Sequence, residues 1–260
     1  MTAIRQRWLI LLEAGATALI VAVVWLYTNV ANGIVVVPAR RILGAFREEW
    51  LFQHFVTDLL PSLERLAAGF ALATLLGVGV GLLLGSFDTL YLIWQPVVNF
   101  LRSIPVVSLL PLALVVLGTD NTMKITVIAY ATCWPILLNT TDGVRQLDPT
   151  LDMTARVYRI TGVRRLVRVV LPAVSPRIFA GMRATLSYAL LLLVVSEMIG
   201  STSGVGFRIL TSEQTYNIAN MWAGILLLGI IGNVVNVLFV FAERRALRWY
   251  LRPGLSEVTV

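Results

Sequence analysis

Long uninterrupted apolar runs alternate with short polar intervals along this chain. Six runs stand out, at residues 9–28, 62–84, 90–117, 122–141, 178–199 and 221–241. About 20 apolar residues are needed to cross a bilayer as a helix. Backbone groups in lipid must be satisfied internally, so only helices and closed barrels span it. The runs are continuous rather than alternating, which predicts helices and an all-α polytopic membrane protein. Between the first two runs lies a mixed segment, residues 34–60. There Ile42, Leu43, Phe46, Trp50 and Phe55 recur at near-helical spacing with Arg47, Glu48 and Glu49 between them. The pattern predicts a short interfacial helix, and simple packing against the spans accounts for it equally well. The chain thus divides into an N-terminal span with an interfacial segment (1–57), a five-span core (58–250) and a short tail (251–260).

Two spans carry unusual residues. The second holds Gly69, Gly77, Gly79, Gly81 and Gly85, and small residues let helix backbones approach closely in lipid. The third is interrupted by Pro96, Pro105 and Pro111. Each proline removes a helical hydrogen bond, and the freed carbonyls need protein or water, so this broken helix is a candidate pathway lining. Arg102 and Ser103 sit inside the break. A charge at membrane depth is a functional candidate by default, although a structural pairing explains Arg102 as readily. Asn99, Asn139, Ser196 and Glu197 are further polar groups in or near spans three to five, and with Arg102, Ser103 and Pro105 they make up the candidate translocation pathway.

The composition agrees with this reading. The chain is 58% hydrophobic and 13% charged, against roughly 25% charged in soluble domains. The net charge of +7 sits mostly between the spans, as the positive-inside rule places it, and no nucleic-acid-binding pattern accompanies it. Arg5, Arg7, the arginines of residues 144–177 and those of the tail place both termini and the 144–177 loop on the cytoplasmic side. Arg40, Arg41 and Arg47 on the other side weaken the asymmetry without reversing it. The basic start followed by some 20 apolar residues reads as a retained first span, since a signal peptide has a shorter apolar region. A single cysteine and a single histidine exclude an internal disulfide and make a zinc or haem site improbable.

The largest polar interval, 144–177, holds Arg145, Arg156, Arg159, Arg164, Arg165, Arg168 and Arg177, opposed by Asp148 and Asp152. It reads as two short helices forming a docking surface. Gly-Lys never occurs, so no Walker A loop is present, and neither Gly-x-Ser-x-Gly nor His-Glu-x-x-His appears. An enzyme is not expected, and energy for transport would come from a partner or an ion gradient.

Several segments carry a resemblance in their order and spacing. They are Phe100-Leu-Arg-Ser-Ile-Pro105 with Leu110-Pro111, Pro135-Ile-Leu-Leu-Asn139 with Gly143-Val-Arg145, Asp148-Pro149, and Leu171-Pro172. Ser196-Glu-Met-Ile-Gly200 follows, with Ser203-Gly204 and Gly206, and then Glu243-Arg-Arg245 with Arg248-Trp249. From about residue 60 to 250 the chain resembles the permease subunits of ABC importers of the nitrate/sulfonate/taurine/bicarbonate family. The resemblance implies a type I ABC importer permease fold with six transmembrane helices, in the bacterial inner membrane. It implies a small solute as substrate, such as a sulfonate, taurine, nitrate or carboxylate. The implied partners are a second copy or a paralogous permease, two ABC ATPases, and a periplasmic or lipid-anchored binding protein. ATP and magnesium would sit on the ATPase and no cofactor on this chain. The stand-alone alternative is a secondary transporter or channel.

In that family the 144–177 loop docks into a groove on the ATPase. Counted back from Leu171-Pro172, its Glu-Ala-Ala positions fall on Met153, Thr154 and Ala155, and its glycine falls on Arg159. The coupling set implied here is Asp148, Met153, Thr154, Ala155, Arg156, Tyr158, Arg159, Gly162, Leu171 and Pro172. Gly162 is expected to supply the turn that the family's glycine makes, and Arg159 either pairs with an ATPase carboxylate or is simply a solvated cation. Ala155 is expected to face the docking groove.

Overall fold

The computed structural model describes residues 37–250; the expected first span and the tail lie outside them. All regular structure among the described residues is helical. Helix α1 is Ala39–Phe46. It runs into two wide turns with i→i+5 bonding, Arg47–Gln53 and Phe55–Leu59. Ile42, Ala45, Phe46 and Trp50 pack against the later helices around Ile209, Ala223 and Leu227, while Leu43, Phe52 and Phe55 are exposed. The segment is therefore both packed and surface-lying.

Helix α2 is Leu60–Ser86, α3 is Asp88–Arg102, and α4 is Val106–Leu117. Helices α3 and α4 meet at 88° across a break of three residues, and together they are long and apolar enough for one bent span. Helix α5 is Asn121–Arg145, α6 Pro149–Val157, α7 Gly162–Arg165, α8 Leu171–Gly200, α9 Val205–Gln214 and α10 Ile218–Ala246. Besides the broken pair, the helical stretches 55–86, 162–200 and 218–246 are long and apolar enough to cross a membrane. Helix α5 is long enough too, at 25 residues or roughly 37 Å. It is less apolar because its neighbours are protein: Lys124, Thr132, Thr140 and Thr141 are all buried.

Helices α2, α5 and α8 form the centre. Gly69, Gly77, Gly81 and Gly85 lie on the α2 face toward α5; a Cβ at Gly81 would fall 2.7 Å from the Thr140 Cβ, and at Gly69 2.8 Å from the Ile128 Cβ. These glycines are what lets the two helices touch. Gly79 faces open space and has no such role. The apolar centre gathers Leu66, Leu110, Met123, Ile128 and Leu192.

The fifth span departs from the expected start at residue 178. The helix is continuous over Gly162–Gly200, 39 residues, or roughly 58 Å. Pro172 has no N–H to bond the carbonyl four residues back. The chain absorbs this by widening over Leu166–Val170, where the Leu171 N–H bonds the Leu166 carbonyl. Leu171-Pro172 therefore marks a wide turn rather than a loop end. Pro61 follows the turn Phe55–Leu59 in the same way.

Candidate functional site

The loop 146–170 is a self-braced unit at one end of the bundle. Asp148 opens α6: its Oδ1 accepts from the Thr150 N–H at 2.8 Å, and Pro149 fills the first helical position. That backbone bond holds the Asp148 carboxyl below its usual range. Asp152 ties α6 to α7, accepting from Arg165 Nε at 2.7 Å and from Arg156 Nη2 at 3.0 Å. Its carboxyl is also held low, chiefly by Arg165. Helix α6 ends with the Ile160 N–H on the Ala155 carbonyl at 2.8 Å and the Arg159 N–H on the Arg156 carbonyl at 2.9 Å. This is a Schellman cap, which places its C′ residue in the left-handed region. That residue is Arg159, at φ +54°, and Gly162 follows at φ +59°. The turn expected of Gly162 is therefore shared: Arg159 takes the glycine position's conformation itself.

The outward surface of this unit is not the one expected around Ala155. Ala155 is 3% exposed and faces inward, braced within the loop. Leu171 is half-buried. Met153 and Tyr158 are the most outward-turned of the large apolar side chains together with Val157 and Val163, which the sequence reading does not single out; Val157 is 79% exposed, and Leu151 and Val167 are exposed to a lesser degree. Thr154 donates to the Thr150 carbonyl, and Arg156 and Pro172 are exposed. Outward valines on otherwise polar short helices were the available signal.

The pathway candidates separate into three places. The first is the α3–α4 break. Tyr91, Gln95, Asn99 and Arg102 fall within an arc of about 80° on α3, at 100° per residue. They line a cavity of about 380 Å³ with Thr141 and Asp142 of α5. Arg102 Nε donates to Asn99 Oδ1 at 3.1 Å, and Ser103 Oγ donates to the Asn99 carbonyl at 2.6 Å. Pro105 precedes the first residue of α4. Tyr130 Oη donates to the Leu101 carbonyl at 2.8 Å, which fixes the bend against α5. At the other end of the cavity Arg145 bridges Asp88 at 2.7 Å and lies 4.0 Å from the Tyr91 ring centroid. Asn139 is elsewhere, donating to the Pro135 carbonyl and packed on Gly181 of α8.

Ser196 and Glu197 do not join either group. Ser196 is buried and donates to the Leu193 carbonyl. Glu197 is 0% exposed. Its Oε1 lies 2.7 Å from both Ser62 Oγ and Arg65 Nη1, and its Oε2 accepts from the Gly206 N–H at 2.9 Å. Arg65 further donates to Asn121 Oδ1 at 2.7 Å, and to the Ser203 carbonyl and hydroxyl at 3.0 Å each. Asp58 extends the cluster, accepting from the Gly204 N–H at 2.8 Å and from Arg208 Nε at 2.9 Å. His54 lies between Asp58 and Glu49, at 3.1 and 3.0 Å. Gly204, at φ +121°, lies against the Glu197 carboxylate where no Cβ fits. Physically this is a clamp: it fastens the turn after α8 to the start of α2. An acid inside a span implies a partner on another span, and that signal points to Arg65.

Residues 73–248 match the family described as binding-protein-dependent transport system inner membrane component. The putative aliphatic sulfonates transport permease protein SsuC of Bacillus subtilis is 33% identical over 89% of this chain and 86% of its own. The bicarbonate transport system permease protein CmpB of Synechococcus elongatus is 33% identical over 74% of this chain and 68% of its own. The nitrate import permease protein NrtB of a Synechocystis strain is 31% identical over 72% and 68%. Among solved structures, a chain of the inward-facing MetNI methionine ABC transporter shares the fold, with a TM-score of 0.62, 22% identity, and coverage of 79% of this chain and all of that one.

Proposed function

The chain belongs to the binding-protein-dependent transport system inner membrane components and is the membrane permease subunit of an ABC importer, and we propose that it carries a small anion such as a sulfonate, taurine, nitrate, bicarbonate or carboxylate. Relatives named for sulfonates, bicarbonate and nitrate support that class. In this reading two copies, or this chain and a paralogue, form the pathway. Each binds one ABC ATPase through the 146–170 unit, and ATP and magnesium are held there. A periplasmic or lipid-anchored binding protein delivers the solute to the opposite face. Both termini and the coupling unit are cytoplasmic, and this chain performs no covalent chemistry.

One observation carries the mechanism: the helix Gly162–Gly200 has no break between the coupling unit and the clamp. Motion of the ATPase against Met153, Val157, Tyr158 and Val163 therefore moves α8 as a lever. At its far end Glu197 holds the turn 201–206 and the start of α2. Closure of the ATPases on ATP thus changes the spacing of the spans at both membrane faces. The test is uptake of a panel of those anions by proteoliposomes holding the permease, its neighbouring ATPase and its binding protein. Uptake is expected only with ATP inside, and Val157→Asp is expected to abolish it by preventing ATPase binding. Uptake without ATPase, or an intact complex with Val157→Asp, overturns the reading.

A further inference from the structure

We propose that the permease itself holds the anion, at a site built on Arg102 at the α3–α4 break. This rests on the reading of the chain as an anion permease. The guanidinium spends its Nε–H on Asn99 Oδ1, and among the described residues its terminal nitrogens meet no acceptor and no carboxylate. Four N–H donors thus remain in the planar fork that suits an oxyanion. They belong to an exposed side chain that lines a cavity of about 380 Å³, room for a sulfonate, nitrate or small carboxylate. A free charge inside a broken span is costly unless paired or wet, and two other arginines near the span are paired among the described residues, Arg145 with Asp88 and Arg65 with Glu197.

The stripe Tyr91, Gln95 and Asn99 leads along α3 from the coupling end of the helix to this arginine. Asp142 lines the same cavity but is not in ion-pair contact with Arg102. Asp88 and Arg145 pair across the two helices, and Tyr130 bonds Leu101, so α3 and α5 run antiparallel. Asp142, one turn from Arg145, accordingly faces the Tyr91 end, roughly 16 Å from Arg102 at 1.5 Å per residue. It repels an anion there and leaves the break as the favoured position. On the other side of α3 a cavity lined by Leu76, Trp94, Leu101 and Trp134 is apolar, so an anion has no competing position beside the helix.

A phospholipid phosphate offers the same chemistry as a free oxyanion, and the experiment separates them. The assembled complex in phosphatidylcholine nanodiscs is treated with phenylglyoxal, and modification of Arg102 is read by peptide mass spectrometry. Methanesulfonate and nitrate are expected to slow labelling of Arg102 several-fold. Neutral methanesulfonamide is expected to leave the rate unchanged, as is any of the three at Arg40 on α1. Equal protection by the sulfonamide, equal protection at Arg40, or no labelling of Arg102 in any condition overturns the proposal. Protection by phosphatidylglycerol nanodiscs alone assigns the arginine to lipid and overturns it too. The proposal and the transport reading fail differently: ATP-driven uptake of anions with an unprotected Arg102 rejects this site alone.

Discussion

Removing the Glu197 carboxylate is expected to be among the most destabilising single changes in this chain. Glu197→Ala leaves the Gly206 N–H without its acceptor and Arg65, 4% exposed, without its counter-charge. Breaking a buried ion pair by deleting one partner costs about 3–5 kcal/mol, because the other charge stays buried. Arg65 keeps its bonds to Asn121 and Ser203, and Ser62 Oγ keeps the Asp58 carbonyl at 3.0 Å, so the total should not exceed that range. Glu197→Gln retains an acceptor for Arg65 and Ser62 but turns an amide donor toward the Gly206 N–H, a loss of about 1–3 kcal/mol. Arg65→Leu combined with Glu197→Leu removes both charges and should cost less than the two single changes added together. The measurement is the unfolding free energy from SDS titration in mixed micelles, followed by helical circular dichroism. Glu197→Ala within about 1 kcal/mol of the parent protein, or single effects that simply add, would show that the pair is not the fastening described.

Arg159→Gly should tighten the coupling unit by up to about 1 kcal/mol, because a non-glycine residue in the left-handed region carries a cost of 1–2 kcal/mol that glycine's greater unfolded-state freedom partly offsets; slower hydrogen exchange over residues 156–162 would register it, and faster exchange would contradict it. Asp152, held low by Arg165, contributes stability that is complete above the free carboxylate value of about 3.9 and is lost as pH falls through its lowered folded value. Exchange in the 149–170 region, corrected for intrinsic rates, should therefore rise below about pH 4, and Asp152→Asn should show the raised exchange already at neutral pH. Gly81→Leu should disrupt the α2–α5 contact, since a Cβ there already meets Thr140 and the Leu137 carbonyl at 2.7 and 2.9 Å and overpacking costs about 1–3 kcal/mol or more. Gly79→Leu, in open space, should be neutral in the same SDS titration, and equal effects at the two positions would refute the packing assignment.

Among the described residues the spans within 55–86, 162–200 and 218–246 were legible in the sequence because lipid imposes a length and a polarity that the residues must meet. Helix α5 also shows in the sequence, as the run 122–141, even though its Lys124 and threonines are buried against protein. The continuity of α8 was not legible. A Leu-Pro step reads as a boundary from sequence, and only the widened turn over Leu166–Val170 shows how the missing N–H is accommodated. The residue pattern at Arg159 suggests a turn moved to Gly162, whereas the cap bonds of α6 hold Arg159 itself in the left-handed conformation.

Arg102 and Glu197 looked alike in the sequence, both ionisable residues in broken or terminal parts of spans. Their partners distinguish them, and those partners are invisible along the chain. Glu197 meets Arg65, 132 positions away, and a backbone N–H nine residues on, so its charge is consumed by holding two helices and a turn together. Among the described residues Arg102 finds only Asn99, one helical turn back, which orients the guanidinium without neutralising it. A buried, fully bonded charge cannot also serve a passing solute without breaking the fold each time. An oriented and unneutralised one can, and for that reason the proposed pathway lies at the α3–α4 break while the clamp serves the architecture.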